Sequence, residues 1–300
     1  MRAFLTGAGG FAGTHLASAL RERSAEIVTL ACDVRETQAV IAEVMQAQPD
    51  VVFHLAAQAF VPHALADPGE TYVVNVRGTS SVLAALRELR KGGKSARLLF
   101  ASSADVYGPQ PPDRYPLAET VLPQPANPYA ASKLAGEALV AGEVRAFGLD
   151  AVVTRAFNHI GPGQNARFAV ASFARQLAQI AAGAAPVLHV GDLTAKRDFI
   201  DVRDAVQAYC LLAERGVRGE VYNVCGETAA SMRDVLGELI RIARVPVEVR
   251  EDPERMRPSE VPLMYGSNAK LRGATGWAPS IALRRSLQDV YADAQMSCAT

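Results

Sequence analysis

The chain has 300 residues, 49% of them hydrophobic, which is enough to bury a large core and suits one two-lobed enzyme better than two independent domains. Its 31 basic and 31 acidic residues cancel, so binding to nucleic acid loses its electrostatic rationale. Cys32, Cys210, Cys225 and Cys298 have neither the close spacing of a zinc site nor the density of a secreted disulfide scaffold, which points to a reducing cytoplasm. No apolar run approaches the ~18 residues of a membrane span.

Met1-Arg2 leads straight into Ala3-Phe4-Leu5, too short for a signal sequence and read as the first strand. Directly behind it stands Thr6-Gly7-Ala8-Gly9-Gly10-Phe11-Ala12-Gly13. Gly7 permits a tight strand-to-helix turn, Gly10 lets backbone approach a pyrophosphate, and Gly13 allows close packing of helix on strand. The helix over 11–23 then presents its N-terminal amides, with Phe11 and Ala12, to the phosphates of a dinucleotide. A strand follows over 27–30. Asp33, with Val34 beside it, either takes the position of the acid on the adenosine ribose or belongs to a third-strand loop against adenine; the choice between NAD and NADP stays open with it.

A helix over 37–47 precedes the strand Val51–His54. The small run Leu55-Ala56-Ala57 follows where backbone must lie against the cofactor, and His54 reads as a satisfied core histidine. The spacing of Val74, Val82, Leu83, Leu86 and Leu89 predicts a helix over 71–91 packed on the sheet. The strand over 97–101 runs into Ser102-Ser103, and the proline-rich stretch 108–128 reads as a structured flap. A helix over 128–147 carries Tyr129 and, one turn on, Lys133. A phenol loses its proton near pH 10, so it serves at neutral pH only with help, and an ammonium on the same face lowers its pKa. Ser103 completes the set as a second hydrogen-bonding group for a carbonyl oxygen gaining charge.

After the strand over 151–155 the pattern becomes irregular. Helices are expected over 167–182, 204–213, 231–243 and 283–294, with a short strand near Val187. The alternation predicts an α/β fold: a Rossmann-type doubly wound parallel sheet over residues 1–155, with later segments near 196–220 returning to it. A smaller C-terminal α/β lobe, mainly 156–300, binds substrate. Arg167 and Arg175 read as solvated helix charges.

The glycine loop, Ser102-Ser103-Ala104-Asp105-Val106-Tyr107-Gly108 and Asn127-Pro128-Tyr129-Ala130-Ala131-Ser132-Lys133 resemble the extended short-chain dehydrogenase/reductases that act on nucleotide-diphosphate sugars. The segments Arg155 to Gln164, Gly191 to Phe199, Arg257-Pro258-Ser259-Glu260-Val261 and Gly276-Trp277-Ala278-Pro279 look like its GDP-mannose branch. The resemblance implies an NADPH- or NADH-dependent reductase, with Tyr129 as proton donor and Lys133 lowering its pKa and holding the nicotinamide ribose. Ser103 bridges to the substrate oxygen. The expected reaction takes the C4 ketone of GDP-4-keto-6-deoxy-D-mannose to GDP-D-rhamnose. Arg197 and Arg257 fall in segments that bind the diphosphate, Asn158 matches an asparagine on a substrate phosphate, and Glu260 matches an acid near the nucleotide ribose. Asp105 either orients substrate or caps a loop.

Relatives that eliminate water carry Thr-Asp-Glu or Thr-Ser-Glu where this chain has Ser103-Ala104-Asp105, so a reductase is favoured over a GDP-mannose 4,6-dehydratase. A 4-epimerase that recycles its NAD and a non-catalytic nucleotide sensor also compete with the reductase; the intact Ser103, Tyr129 and Lys133 speak against the sensor. The resemblance further implies a cytoplasmic homodimer joined through two helices per subunit, with no metal, no nucleic acid and no membrane in its chemistry.

Overall fold

The computed structural model describes residues 1–255 and 261–299. Five strands fall close to where the apolar runs predict them: β1 (Arg2–Thr6), β2 (Glu26–Thr29), β3 (Val51–His54), β4 (Arg97–Ser103) and β5 (Ala151–Ala156). With Val221–Val224 they form a six-stranded sheet in the order Val221–Val224, β5, β4, β3, β1, β2. Every neighbouring pair is parallel. The crossover through α1 (Phe11–Glu22) leads to β2 on one side of β1, and the next, through α2 (Thr37–Ala47), leads to β3 on the other. A crevice opens at the carboxyl ends where the order reverses, the usual ligand position in such sheets.

The strands read as continuous apolar runs because both faces are covered. Leu5, Phe53, Leu99 and Val152 pack with Leu16 and Leu20 of α1 and with Val206 and Tyr209 of the helix Val202–Arg215. Phe4, Val52, Leu98 and Phe100 face the opposite layer, made by α2 and the helices Gly78–Lys91 and Pro128–Phe147. At roughly 1.5–3 kcal/mol for each fully buried Leu or Phe, these two layers are the main drive for forming the sheet.

Three departures from the sequence-based expectation bear on the site. First, β4 continues two residues further than its apolar run and ends on Ser102 and Ser103. Second, the helix expected over 71–91 begins at Pro68, where Asp67 caps it by accepting from the Glu70 amide, and it contains a π turn over Val73–Arg77 before resuming at Gly78. That turn swings Asn75 inward, where it accepts from the Gln58 amide at 2.8 Å and donates to the Ser132 hydroxyl at 2.8 Å. Third, Val221–Val224 is a strand that the sequence pattern does not announce. Its Asn223 is fully buried and is satisfied by the Leu117 carbonyl and the Tyr107 hydroxyl.

The chain returns to the sheet more extensively than the segment 196–220 suggests, since Tyr222, Leu271 and Trp277 also lie in the core shared with α1. The rest of the C-terminal half has its own core. The helices Ala169–Ala181, Met232–Ala243 and Leu283–Ala299 enclose Leu177, Leu188, Leu236, Leu239 and Leu287 beside a parallel pair, Val187–Val190 with Glu248–Glu251. Ser231 and Asp234 form a reciprocal capping box at the start of the second of these helices.

Candidate active site

The glycine loop is shaped by contacts that tolerate no side chain. Gly7 has φ +73°, and a Cβ there would lie 2.7 Å from the Ala56 amide nitrogen. A Cβ on Gly13 would lie 2.1 Å from the Gly7 carbonyl oxygen, which also accepts from the Gly10 amide at 3.0 Å. Gly10 is the N-cap of α1 and brings no side chain to its first-turn amides. The result is a cradle of backbone alone at the N-terminus of a helix, which fits a dinucleotide diphosphate. Leu55, Ala56 and Ala57 run beside it, the Leu55 amide donating to the Thr6 carbonyl and the Ala56 amide to Thr6 Oγ1.

His54 is the core histidine the sequence suggests. Its Nδ1 pairs with Thr6 Oγ1 at 2.7 Å and its Nε2 with Thr79 Oγ1 at 3.1 Å. Burial, with the charge of Lys133 adding, pushes its pKa down to about 3. Asp33 lies in the loop that joins β2 directly to α2. Its carboxylate is held by the guanidinium and amide of Arg35, which lower its pKa to about 2. Val34 is buried against Gly78, where a Cβ would meet its side chain at 2.8 Å.

The second half of the site is built where β4 ends. Ser103 caps the turn Ala104–Tyr107, accepting from the Asp105 amide at 3.2 Å, and its hydroxyl lies near the Tyr129 phenol. Tyr129 stands in the first turn of Pro128–Phe147, a helix started by Asn127, which accepts from the Ala130 amide, and by proline at its first position. The phenol is buried, and burial raises its pKa well above the ordinary value; the negative charge of Asp105 adds to this and the nearby Ser103 hydroxyl opposes it.

Lys133, one turn on from Tyr129, is buried beside the end of β4. Its Nζ donates to the Ala101 carbonyl at 2.7 Å and stands 5.3 Å from the centre of the Phe100 ring. Burial lowers its pKa to about 8, opposed by the charge of Glu137. The helical spacing puts both groups on one face, with the ammonium held by the Ala101 carbonyl and the phenol kept protonated by burial.

Asp105 and Arg197 lie close enough for their charges to act on each other. Burial raises the Asp105 pKa and the Arg197 charge opposes it, while Arg197 is itself lowered by burial against Asp105, Tyr115 and Asp192. Asn158 is exposed on the short strand Asn158–Ile160, paired in register with Phe199, two residues from Arg197. Arg257 and Glu260 lie outside the described residues. Among the described residues no group of three His, Cys, Asp or Glu side chains is placed to hold a metal.

Several neighbours escape a reading of the sequence. Glu137, one turn beyond Lys133, accepts from Ser102 Oγ at 2.5 Å, from Arg155 Nε at 3.0 Å and from Arg155 Nη2 at 2.7 Å. Arg155 lies 4.7 Å from the centre of the Tyr107 ring. A charged residue closing the apolar strand Ala151–Ala156 is the available signal. In the flap, Tyr115 stacks on Tyr265 with ring centres 5.3 Å apart, and the Leu117 amide donates to the Tyr265 carbonyl. Arg167 is exposed, as expected, but lies just before the helix Ala169–Ala181 rather than on it, with its guanidinium over the rings of Phe60 and Phe168 at 5.1 and 5.3 Å. Arg175 is exposed, as expected.

Comparison with known proteins agrees with this geometry. The family model described as GDP-mannose 4,6 dehydratase matches residues 22–290. The chain is 40% identical to the GDP-6-deoxy-D-mannose reductase of Pseudomonas aeruginosa, over 97% of this chain and 96% of that protein. It is 30% identical to the GDP-6-deoxy-D-talose 4-dehydrogenase of Aggregatibacter actinomycetemcomitans, over 92% of each. The solved structure of RMD from Pseudomonas aeruginosa complexed with NADPH superposes with a TM-score of 0.92 at 39% identity, covering 99% of both chains.

Proposed function

The chain belongs to the extended short-chain dehydrogenase/reductase family, in the group matched by the GDP-mannose 4,6-dehydratase model, and from that premise we propose that it reduces the C4 ketone of GDP-4-keto-6-deoxy-D-mannose to GDP-D-rhamnose with NADPH or NADH. The observation that carries this reading is a buried Tyr129, its phenol kept protonated by burial, near Ser103 at the end of β4, in a chain that also builds a backbone phosphate cradle. A ketone reduction needs a proton donor at the carbonyl oxygen, and a phenol kept protonated by burial is one.

Gly7, Gly10, Phe11, Ala12 and Gly13, with Asp33, Val34 and Leu55 to Ala57, are the residues that would hold the dinucleotide. When bound, the reduced nicotinamide supplies hydride to C4. Tyr129 gives its proton to the C4 oxygen while the Ser103 hydroxyl hydrogen-bonds the same atom, so charge on that oxygen is met by two donors in a water-poor site. The phenolate left behind would be stabilised by the ammonium of Lys133, one turn further along the helix, which is also the residue that would hold the nicotinamide ribose. Arg197 and Asn158, with Arg257, receive the diphosphate; Glu260 takes the nucleotide ribose and Asp105 orients the sugar.

Elimination of water is disfavoured by Ala104, which is buried and has no polar atom to offer, and by Asp105, a methylene shorter than the glutamate used by dehydratases. Residues 1–155 and the returning segments hold the dinucleotide, and the remainder of 156–300 the sugar nucleotide. A cytoplasmic homodimer using two helices per subunit, one of them Pro128–Phe147, belongs to the same reading. It is supported by Leu139 and Phe147, which are exposed on that helix, and by four free cysteines. Among the described residues no helix is long and apolar enough to cross a membrane.

The test mixes purified protein with freshly generated GDP-4-keto-6-deoxy-mannose, with GDP-mannose alongside, and follows NADPH and NADH absorbance. Stoichiometric oxidation with the keto sugar only, reduced about 10²–10⁴-fold in Tyr129→Phe, is expected. Conversion of GDP-mannose without net cofactor consumption would overturn the assignment. NMR of the product separates GDP-D-rhamnose from its C4 epimer.

A further inference from the structure

The carboxylate of Glu137 sits where the catalytic helix meets two strand ends. Ser102 on β4 and Arg155 on β5 are register partners, and Ser103 follows directly. Glu137 binds both partners at once, through Ser102 Oγ at 2.5 Å and two Arg155 nitrogens at 3.0 and 2.7 Å. One turn earlier on the helix, Lys133 donates to the carbonyl of Ala101, the residue before Ser102. Two anchors a turn apart thus clamp one helix face to consecutive residues of one strand. Both charged side chains of the Glu137–Arg155 pair are more than nine-tenths buried. A pair of that kind is weak evidence for stability, since apolar packing of the same volume is often as good.

We infer that Glu137 is a positioning residue for the reduction: its buried carboxylate locks the helix bearing Tyr129 to the strand end bearing Ser103, and so holds the two hydroxyls at their working separation. The inference rests on the reaction assigned above. Its physical ground is that catalytic groups must be held within a fraction of an ångström by partners which are themselves fixed. Arg155 is fixed in turn by stacking on Tyr107, whose hydroxyl donates to Asn223 Oδ1 at 2.7 Å.

A merely structural carboxylate and a positioning one differ in what they do to Lys133. Burial lowers the ammonium's pKa to about 8, and the charge of Glu137 holds it from falling further. The other titratable and charged groups about this cluster are Tyr129 on the same helix, His54 from β3, Tyr107 from the turn after β4, Arg155 from β5 and Glu119 from the flap; Asp105, itself near Arg197, and Tyr209 stand toward Tyr129. Loss of the carboxylate's charge leaves Arg155 uncompensated, which pushes Lys133 in the same downward direction.

Glu137→Gln, Glu137→Asp and Ser102→Ala are to be compared with the wild type under steady-state conditions, per mole of folded protein. Glu137→Gln is expected to lower kcat about 10- to 100-fold, to leave the KM of the sugar nucleotide within about twofold, and to move the alkaline limb of kcat about one pH unit toward acid. Glu137→Asp keeps the charge, so the limb stays in place, while its shorter reach still lowers kcat. Ser102→Ala lowers kcat a few-fold with the limb unmoved. A Glu137→Gln enzyme that loses thermal stability but keeps the wild-type kcat and pH limb overturns the inference; should that variant not fold, a folded Glu137→Asp with wild-type kcat does the same. The comparison uses whichever sugar nucleotide the wild type consumes. A wild type acting on GDP-mannose instead therefore refutes the assigned substrate and leaves the Glu137 test intact.

Discussion

Gly13→Ala isolates the phosphate cradle from the rest of the site. The new Cβ would start 2.1 Å from the Gly7 carbonyl oxygen and 2.8 Å from Ala8 Cα, so the loop must retreat until that first contact reaches the ordinary 3.4 Å. The same carbonyl accepts the Gly10 amide at 3.0 Å, and a shift of this size breaks the turn that aims the α1 amides into the crevice. Overpacking of this kind costs ~1–3 kcal/mol. If it falls on cofactor binding, the dinucleotide Kd rises about 5- to 150-fold. Alanine's better helix propensity, worth ~1 kcal/mol, offsets part of the cost to the apo protein, so Tm changes little. Gly9→Ala is the control: nothing lies within 4 Å of its Cβ, and its Kd should stay within about twofold of wild type. Isothermal titration with NADPH and NADH measures both variants, and a Gly13→Ala protein that binds as tightly as the wild type would refute the close-approach argument.

Acid unfolding should report His54. Folding drops this imidazole from its ordinary 6.5 to about 3, so the neutral ring is favoured; its contribution is complete above pH 6.5 and is lost as pH falls toward 3, by at most ~1.4 kcal/mol per pH unit. Urea midpoints at pH 4 to 6 should therefore depend less on pH in His54→Asn, and an unchanged slope would contradict the assignment. Gly142 is exposed within the helix Pro128–Phe147 with nothing within 4 Å of its Cβ. Gly142→Ala should add ~0.5–1 kcal/mol in urea melts, and a loss of stability would show that this helix face is not free.

The parts of the site that are legible in the sequence are those carried by local spacing. The glycine loop declares itself because its glycines are spaced within a single strand-turn-helix unit, although the contact Gly7 answers to comes from Ala56 after β3, and Tyr129 with Lys133 because one helical turn separates them. What holds the lysine's ammonium in place, the Ala101 carbonyl, comes from β4, a separate segment, and is not legible from the helix alone. Glu137 and Arg155 escape notice for a related reason: each is ordinary in its own segment, and their meaning arises only when helix and strand are brought together. The strand Val221–Val224 hides behind a polar residue, since a buried asparagine reads as exposed until its partners at Leu117 and Tyr107 are known. Likewise, the π turn at Asn75 leaves no mark in the hydrophobic period, because it shifts a single residue inward.

The edge strand Val221–Val224 sets a limit on how this chain can be divided. A fragment ending after β5 would contain the whole glycine loop and Ser103, Tyr129 and Lys133, yet β5 would face solvent with an unpaired backbone edge. It would also lose Asn223, to which the flap residue Leu117 and the Tyr107 ring are tied, and the helix Val202–Arg215 that covers Phe53 and Leu99. The two halves are thus interleaved rather than modular. Swapping the C-terminal half for that of a relative would exchange an edge of the sheet, and part of the core that covers it, along with any site that half carries.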